Sequence, residues 1–449
     1  MKISFVTQWC RRLASVGATA LMLAALGVMP AHAVLNDGFF ALDRDTADTN
    51  AGSAPDDWES FLSGGTANTT KATGILSDVP SPTHEPKVFR NGSKDTQDIS
   101  AWRYDLGSSP PKDNMLHAYA AAYKATAASV ALTNPATSNV DDLLIYFGAD
   151  RAAFSGTASL GFWFFKNPID TLNGSFVLAG TTTPATHTDG DTLVAFEYTN
   201  GGSVTDVRIF KWVGGASGVL TQHALIALGA TATSGVFCDG LDQVCGATNK
   251  DDLSLPWNGT VKPGQFFEGG INITKLVGGD GCFSSFMATS RSSSVDGAAI
   301  KNFILSPGFQ TCRIGISVTK ACDLDLVAQG VGAAAQLGVK VNFSGTVTND
   351  SQVALTNVYV CEKHEGSANC NYSSTPITLA AGASAQYSGS YMPSLALNAA
   401  GNSVLSRPDQ AVFKDTAQAF GTLPAILGGT TIFSSVVEQS CTLCSSTAP

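Results

Sequence analysis

Leu143-Leu144-Ile145-Tyr146-Phe147, Leu160-Gly161-Phe162-Trp163-Phe164-Phe165, Leu193-Val194-Ala195-Phe196-Glu197-Tyr198 and Val207-Arg208-Ile209-Phe210-Lys211-Trp212 decide the fold class. Each run is short, rich in β-branched and aromatic residues, and bounded by Asp, Asn or Gly, the pattern of a strand between turns. The connectors Asn173-Gly174, Asp189-Gly190-Asp191 and Asn200-Gly201-Gly202 are turn chemistry. Together they predict the core of an all-β sandwich.

Working outward, Val34 to Leu42 reads as a first strand, followed by an acidic loop with Asp43, Asp45, Asp48, Asn50 and Asp56-Asp57-Trp58. Residues 63 to 100 are poor in apolar positions and read as a long surface loop or insertion. Met115 to Tyr123 is alanine-rich, so helix and strand both remain open for it. Residues 236 to 258 read as an acidic, cysteine-bracketed loop. The segments from Phe266, Cys282, Ala299 and Cys312 return to strand, closing a first domain over 34–318. No long amphipathic helix with caps interrupts the mature chain, which argues against α/β architectures. From Thr319 the aromatics thin out, and alternating segments such as Val339 to Asp350, Ala354 to Cys361 and Ala385 to Tyr391 recur between turns. This spacing predicts an immunoglobulin-like sandwich over 319–449.

Lys2, Arg11 and Arg12, the apolar run Leu13 to Met29, and Ala31-His32-Ala33 read as a signal peptide over 1–33 with its cleavage site. Removing it takes three of the 26 basic residues and none of the 36 acidic ones, leaving a net charge of −13. An acidic surface without basic clusters excludes nucleic acid as an expected partner, and no membrane insertion is expected after cleavage. The expected location is outside the cell or at its surface, with an extracellular glycan or surface protein as partner.

Nine cysteines remain: Cys238, Cys245, Cys282, Cys312, Cys322, Cys361, Cys370, Cys441 and Cys444. In an exported protein they read first as disulfides. Cys238 and Cys245 bracket one short loop, and Cys361 and Cys370 another. Cys282 and Cys312 can staple the end of the first domain. Cys322, Cys441 and Cys444 compete for one further bridge, and the better match for Cys322 is the Cys441-Thr442-Leu443-Cys444 pair. That C-x-x-C lacks the thioredoxin context or second ligand pair that redox or zinc chemistry would need.

Asp150-Arg151, Gly161-Phe162-Trp163-Phe164-Phe165, Gly190-Asp191, Gly201-Gly202, Val213-Gly214, Phe267 to Asn272 and Cys282 to Phe286 resemble a family of secreted bacterial proteins without assigned activity. That resemblance implies a concanavalin-like jelly roll. Thr348-Asn349-Asp350, Leu355 to Val358 and Leu379 to Gly382 resemble the immunoglobulin-like repeat of bacterial surface proteins, which implies extracellular presentation or adhesion. No catalytic residue is carried over.

The chemistry-bearing residues are few. Jelly-roll glycosidases pair carboxylates on one strand, whereas here Glu197 and Glu268 stand singly. G-x-S-x-G, zinc-hydrolase histidine motifs and phosphate-binding glycine loops are absent. His187 with Asp189-Gly190-Asp191 reads as a turn. Trp58, beside Asp56-Asp57, and Trp257, in the acidic loop, are the candidate exposed rings of a glycan-binding face, together with Glu197 and Glu268. Asp43, Asp45, Asp48 and Asn50 offer oxygens at alternating positions, the hard donors calcium takes, although the EF-hand Gly and closing Glu are missing. The leading expectation is a non-enzymatic extracellular protein with a structural or adhesive role. A lectin-like module, with calcium as a possible cofactor, and a polysaccharide-active hydrolase or lyase are the alternatives.

Overall fold

The computed structural model describes residues 38–47, 55–62, 71–81, 86–107, 109–132, 138–153, 158–198, 203–230, 236–278, 281–329, 336–364, 367–393 and 412–442. The leader over 1–33, Asp48, Asn50 and Cys444 lie outside them. The chain is all-β, and every pairing between named strands is antiparallel. The first large sheet runs Lys71–Ala72, Met115–Lys124, Leu143–Arg151, Phe266–Asn272, Val244–Thr248, Phe237–Cys238, Gly229–Ala230, with Leu76–Ser77 also on Met115–Lys124. The second runs Val219–Ala227, Val204–Val213, Thr192–Tyr198, Ala158–Phe165, Ser285–Arg291, Ile300–Ser306, Lys87–Phe89, Tyr104–Leu106.

Side chains alternate across a strand, so each sheet has an inner and an outer face. The inner faces meet in one core. Ile145, Phe147, Phe267 and Ile271 come from the first sheet, and Phe162, Phe164, Val194, Phe196 and Phe286 from the second. The outer faces are roofed as well. Tyr119, Tyr123, Tyr146 and Phe266 on the first sheet lie under Phe39, Phe40, Trp58 and Phe61. Trp163, Phe165, Phe210 and Trp212 on the second lie under Ile99, Trp102 and Phe176. This explains the continuous apolar runs: a strand buried on both faces has no polar side to alternate with.

Met115 to Lys124 is a strand, pairing with Leu143–Arg151. Its alanines fit because Ala118, Ala120 and Ala122 point into the inner core, where Ala120 stands opposite Phe147 of the neighbouring strand. Two segments expected as loops contain structure. Within 63–100, the 3-10 turn Ile99–Ala101 is capped by Asp98, and Asp95 is fully buried. Asp95 accepts from Arg291 Nη2 at 2.7 Å and from Trp163 Nε1 at 2.8 Å, tying this stretch to the second sheet. Within 236–258, Val244–Thr248 is a fully buried strand of the first sheet.

The remaining strands form a second, smaller pair of sheets. One contains Ile316–Val318, Ala321–Gln329, Gln336–Asn349 and Ser384–Tyr391. The other is centred on Leu355–Lys363 and Val412–Thr422. Their core holds Val318, Phe343, Val347, Val358, Val360 and Tyr387. The expectation that the strand ending at Val318 closes the first sandwich is corrected: Ile316–Val318 pairs with Gln336–Asn349. Its side chains Ile316 and Val318 pack in the later core, which fixes the pairing.

Among the described residues, four disulfides join Cys238 to Cys245, Cys282 to Cys312, Cys322 to Cys441 and Cys361 to Cys370. Cys441 therefore takes part in a structural bridge. Four bridges are the chemistry of an oxidising compartment. No helix among the described residues is long and apolar enough to cross a membrane.

Candidate functional site

The densest group of functional side chains lies on the outer face of the first sheet, beneath the N-terminal segment. Phe266–Asn272 alternates Phe267 and Ile271 inward, so Glu268 points outward and is fully buried. Opposite it in register stands Gly148. A Cβ there would lie 2.3 Å from the Tyr119 ring. Gly148 thus leaves room for Tyr119, whose ring lies 4.5 Å from that of Trp58. Trp58, at the start of the 3-10 turn Trp58–Leu62, is fully buried and donates its Nε1–H to Glu268 Oε2 at 3.0 Å. Glu268 Oε1 accepts from the backbone N–H of Arg44, which adopts a left-handed φ of 79°.

Around Glu268 gather three aspartates. Asp43, Asp45 and Asp57 each bring a carboxylate oxygen within 4.8 Å of the others. Asp43 is exposed, Asp45 half-buried and Asp57 1% exposed. Asp57 Oδ1 accepts from the N–H of Trp58 at 2.5 Å, whereas Oδ2 is buried without a hydrogen-bond partner. Burial, reinforced by the Glu268 charge, pushes the Asp57 carboxyl up to about 10. Burial and then Asp43 hold Glu268 well above the usual carboxylate range, and burial and then Asp45 raise Asp43. Asp43, Arg44 and Asp45 also line a cleft of about 230 Å³ with Asn249, Asp251 and Asp252.

The structure therefore brings together Asp43, Asp45, Glu268 and Trp58 from the expected site residues, sets Trp257 in the same aromatic layer through Tyr119, and places Glu197 apart. Trp58 is not an exposed stacking ring: its indole lies in the outer aromatic core, because its N–H is needed by Glu268. Trp257 is half-buried and donates Nε1–H to Asp150 Oδ1 at 2.9 Å. Glu197 accepts from Ser294 Oγ at 2.8 Å. It sits on the strand side shared with Leu193 and Ala195, the outer face of the second sheet. Glu197 and Glu268 therefore project from opposite outer faces, separated by the inter-sheet core, and are no catalytic pair. Among the residues whose side chains are described, no Trp or Tyr is exposed. Asp57 is the ligand-type residue that reading for alternation passes over. The signal for it is its place beside a tryptophan in an otherwise polar loop.

No family model matches the sequence. No curated protein matches it either. Among solved structures, a Bacteroides uniformis beta-glucuronidase 2 covalently bound to cyclophellitol-6-carboxylate aziridine is similar with a TM-score of 0.18 and 9% identity. The match covers 82% of this chain and 32% of that one. At that level of similarity it bears on neither fold detail nor activity.

Proposed function

We propose that this is a secreted, non-enzymatic extracellular or cell-surface protein with a structural or adhesive role. In this reading a concanavalin-like jelly roll is followed by an immunoglobulin-like sandwich that presents it. The observation that carries the proposal is the roofing of both outer sheet faces by aromatic layers. A jelly roll that binds or cleaves polysaccharide needs an open face with exposed rings or a solvent-reachable carboxylate pair. Here Glu268 is sealed under Trp58, and the rings that would stack on sugar are packed on each other. The four bridges suit a molecule that must persist outside the cell.

The test combines a broad glycan array, a polysaccharide-hydrolysis panel and fractionation of the producing cells. Silence in both panels, with the protein retained on the cell exterior and surface attachment lost on its deletion, is the expected result. Saturable glycan binding or released reducing ends would overturn it. A lectin-like reading has one feature in its favour, the acidic cleft lined by Asp43, Asp45, Asp251 and Asp252, whose carboxylates suit sugar hydroxyls.

A further inference from the structure

We infer that Asp43, Asp45 and Asp57 hold a calcium ion that fastens the N-terminal segment onto the first sheet. The inference stands independently of whether the protein is adhesive. Calcium takes six to eight oxygens at about 2.3–2.6 Å, so two oxygens on one ion sit up to about 5 Å apart. The three carboxylate oxygens meet that limit, lying within 4.8 Å of one another. An acidic cluster alone would be only a solvated loop. The second observation is Asp57, 1% exposed, whose Oδ2 has no partner although its carboxylate belongs to the cluster. Burying such an oxygen costs free energy unless something meets it, and a cation meets it without needing a donor hydrogen.

Glu268 is not a ligand in this assignment. Both its oxygens already accept hydrogen bonds, from the Arg44 N–H and the Trp58 indole, and it anchors the segment to the sheet from below. The donors are all oxygen, which selects a hard cation over zinc or copper. The adjoining cleft of about 230 Å³, lined by Asp43 and Asp45, leaves space for water to complete the ion's shell. The ligands come from both ends of one segment, Asp43 and Asp45 before its 3-10 turn and Asp57 at it. An ion there closes the segment into a loop while Phe39, Phe40 and Phe61 pack below.

Terbium(III), a calcium surrogate excited by energy transfer from a nearby indole, reads this site through Trp58. The intact secreted chain is titrated with terbium, the emission is competed with calcium chloride, and melting is followed in calcium, magnesium and EDTA. Expected are tryptophan-sensitised emission saturating at one equivalent, its displacement by calcium, and a melting temperature that climbs with calcium concentration. Asp57→Asn and, separately, the exposed Asp43→Asn should each weaken calcium by at least roughly tenfold, with Asp296→Asn unchanged. Absence of sensitised emission together with no calcium heat up to millimolar concentration would overturn the assignment. So would unchanged calcium affinity in Asp43→Asn, a variant at an exposed position. If Asp57→Asn raises the melting temperature while the wild type ignores calcium, the buried carboxyls carry protons instead and the site does not exist.

Discussion

At the scale of single residues, the energetics concentrate in a few buried charges. Asp95 and Arg291 are both closed to solvent, with Asp95 Oδ2 accepting from Arg291 Nε at 3.0 Å and Nη2 at 2.7 Å. Removing one partner leaves the other charged and buried, which costs about 3–5 kcal/mol. Asp95→Ala should therefore lower the unfolding free energy of the first sandwich by that amount in urea denaturation. A loss below about 1 kcal/mol would mean the pair is hydrated. Glu362 behaves differently, because its burial outweighs its partner, Lys320 Nζ, at 2.6 Å. Its folded-state pKa lies above the ordinary 4.5. The stability it contributes is thus present in full below the unfolded value and is lost as pH rises through the folded one. Measured against Glu362→Gln, the wild type should gain stability as pH falls from neutrality to about 4.5. An advantage that grows toward neutral pH would reverse the sign and reject this account.

Elements show where sequence reading succeeds and where it stops. The runs at Leu160–Phe165 and Val207–Trp212 declare strands because aromatics flanked by turn residues have few other uses. Met115–Lys124 could not declare itself: its alanines favour helix locally, and only the core they share with Phe147 of the adjacent strand and Phe162 of the facing sheet accounts for them in a strand. The stretch before Ile99 looks like a loop because its anchors are isolated, and Asp95 finds Arg291 only 196 positions later. The calcium candidate was half legible. Asp43 and Asp45 announce oxygen chemistry, but Glu268 lies 210 positions from Trp58, and no local pattern links them. The disulfides were more readable, since Cys238 and Cys245 stand directly opposite in adjacent strands. Cys322–Cys441 is the bridge with the largest effect to test. It spans 119 positions and ties Ala321–Gln329 to Val437–Thr442, with Cys441 wholly buried. Closing so long a loop restricts the unfolded chain, so the Cys322→Ser, Cys441→Ser double variant should lose about 5 kcal/mol in guanidinium denaturation. An unchanged midpoint would place that bridge outside the cooperative unit.

On the scale of the whole molecule, the two groups of sheets keep separate cores. No residue of the inner or outer cores of the large sheets recurs in the clusters built after Ile314. Units that share so little apolar contact unfold separately unless their interface is large. The tryptophans supply a built-in reporter, because Trp58, Trp102, Trp163, Trp212 and Trp257 all precede residue 300, and none follows it. Chemical denaturation followed by far-ultraviolet circular dichroism should show two transitions, of which tryptophan fluorescence sees one. Asp95→Ala should move the transition that fluorescence reports. The Cys322→Ser, Cys441→Ser variant should move the transition to which fluorescence is blind. Calcium should shift only the first, since its ligands and Trp58 belong to the same roof over the large sheet. A single transition seen alike by both probes, moved by all three perturbations, would show that the sandwiches fold as one body. The second would then be a structural part of the first and no separate presenting module.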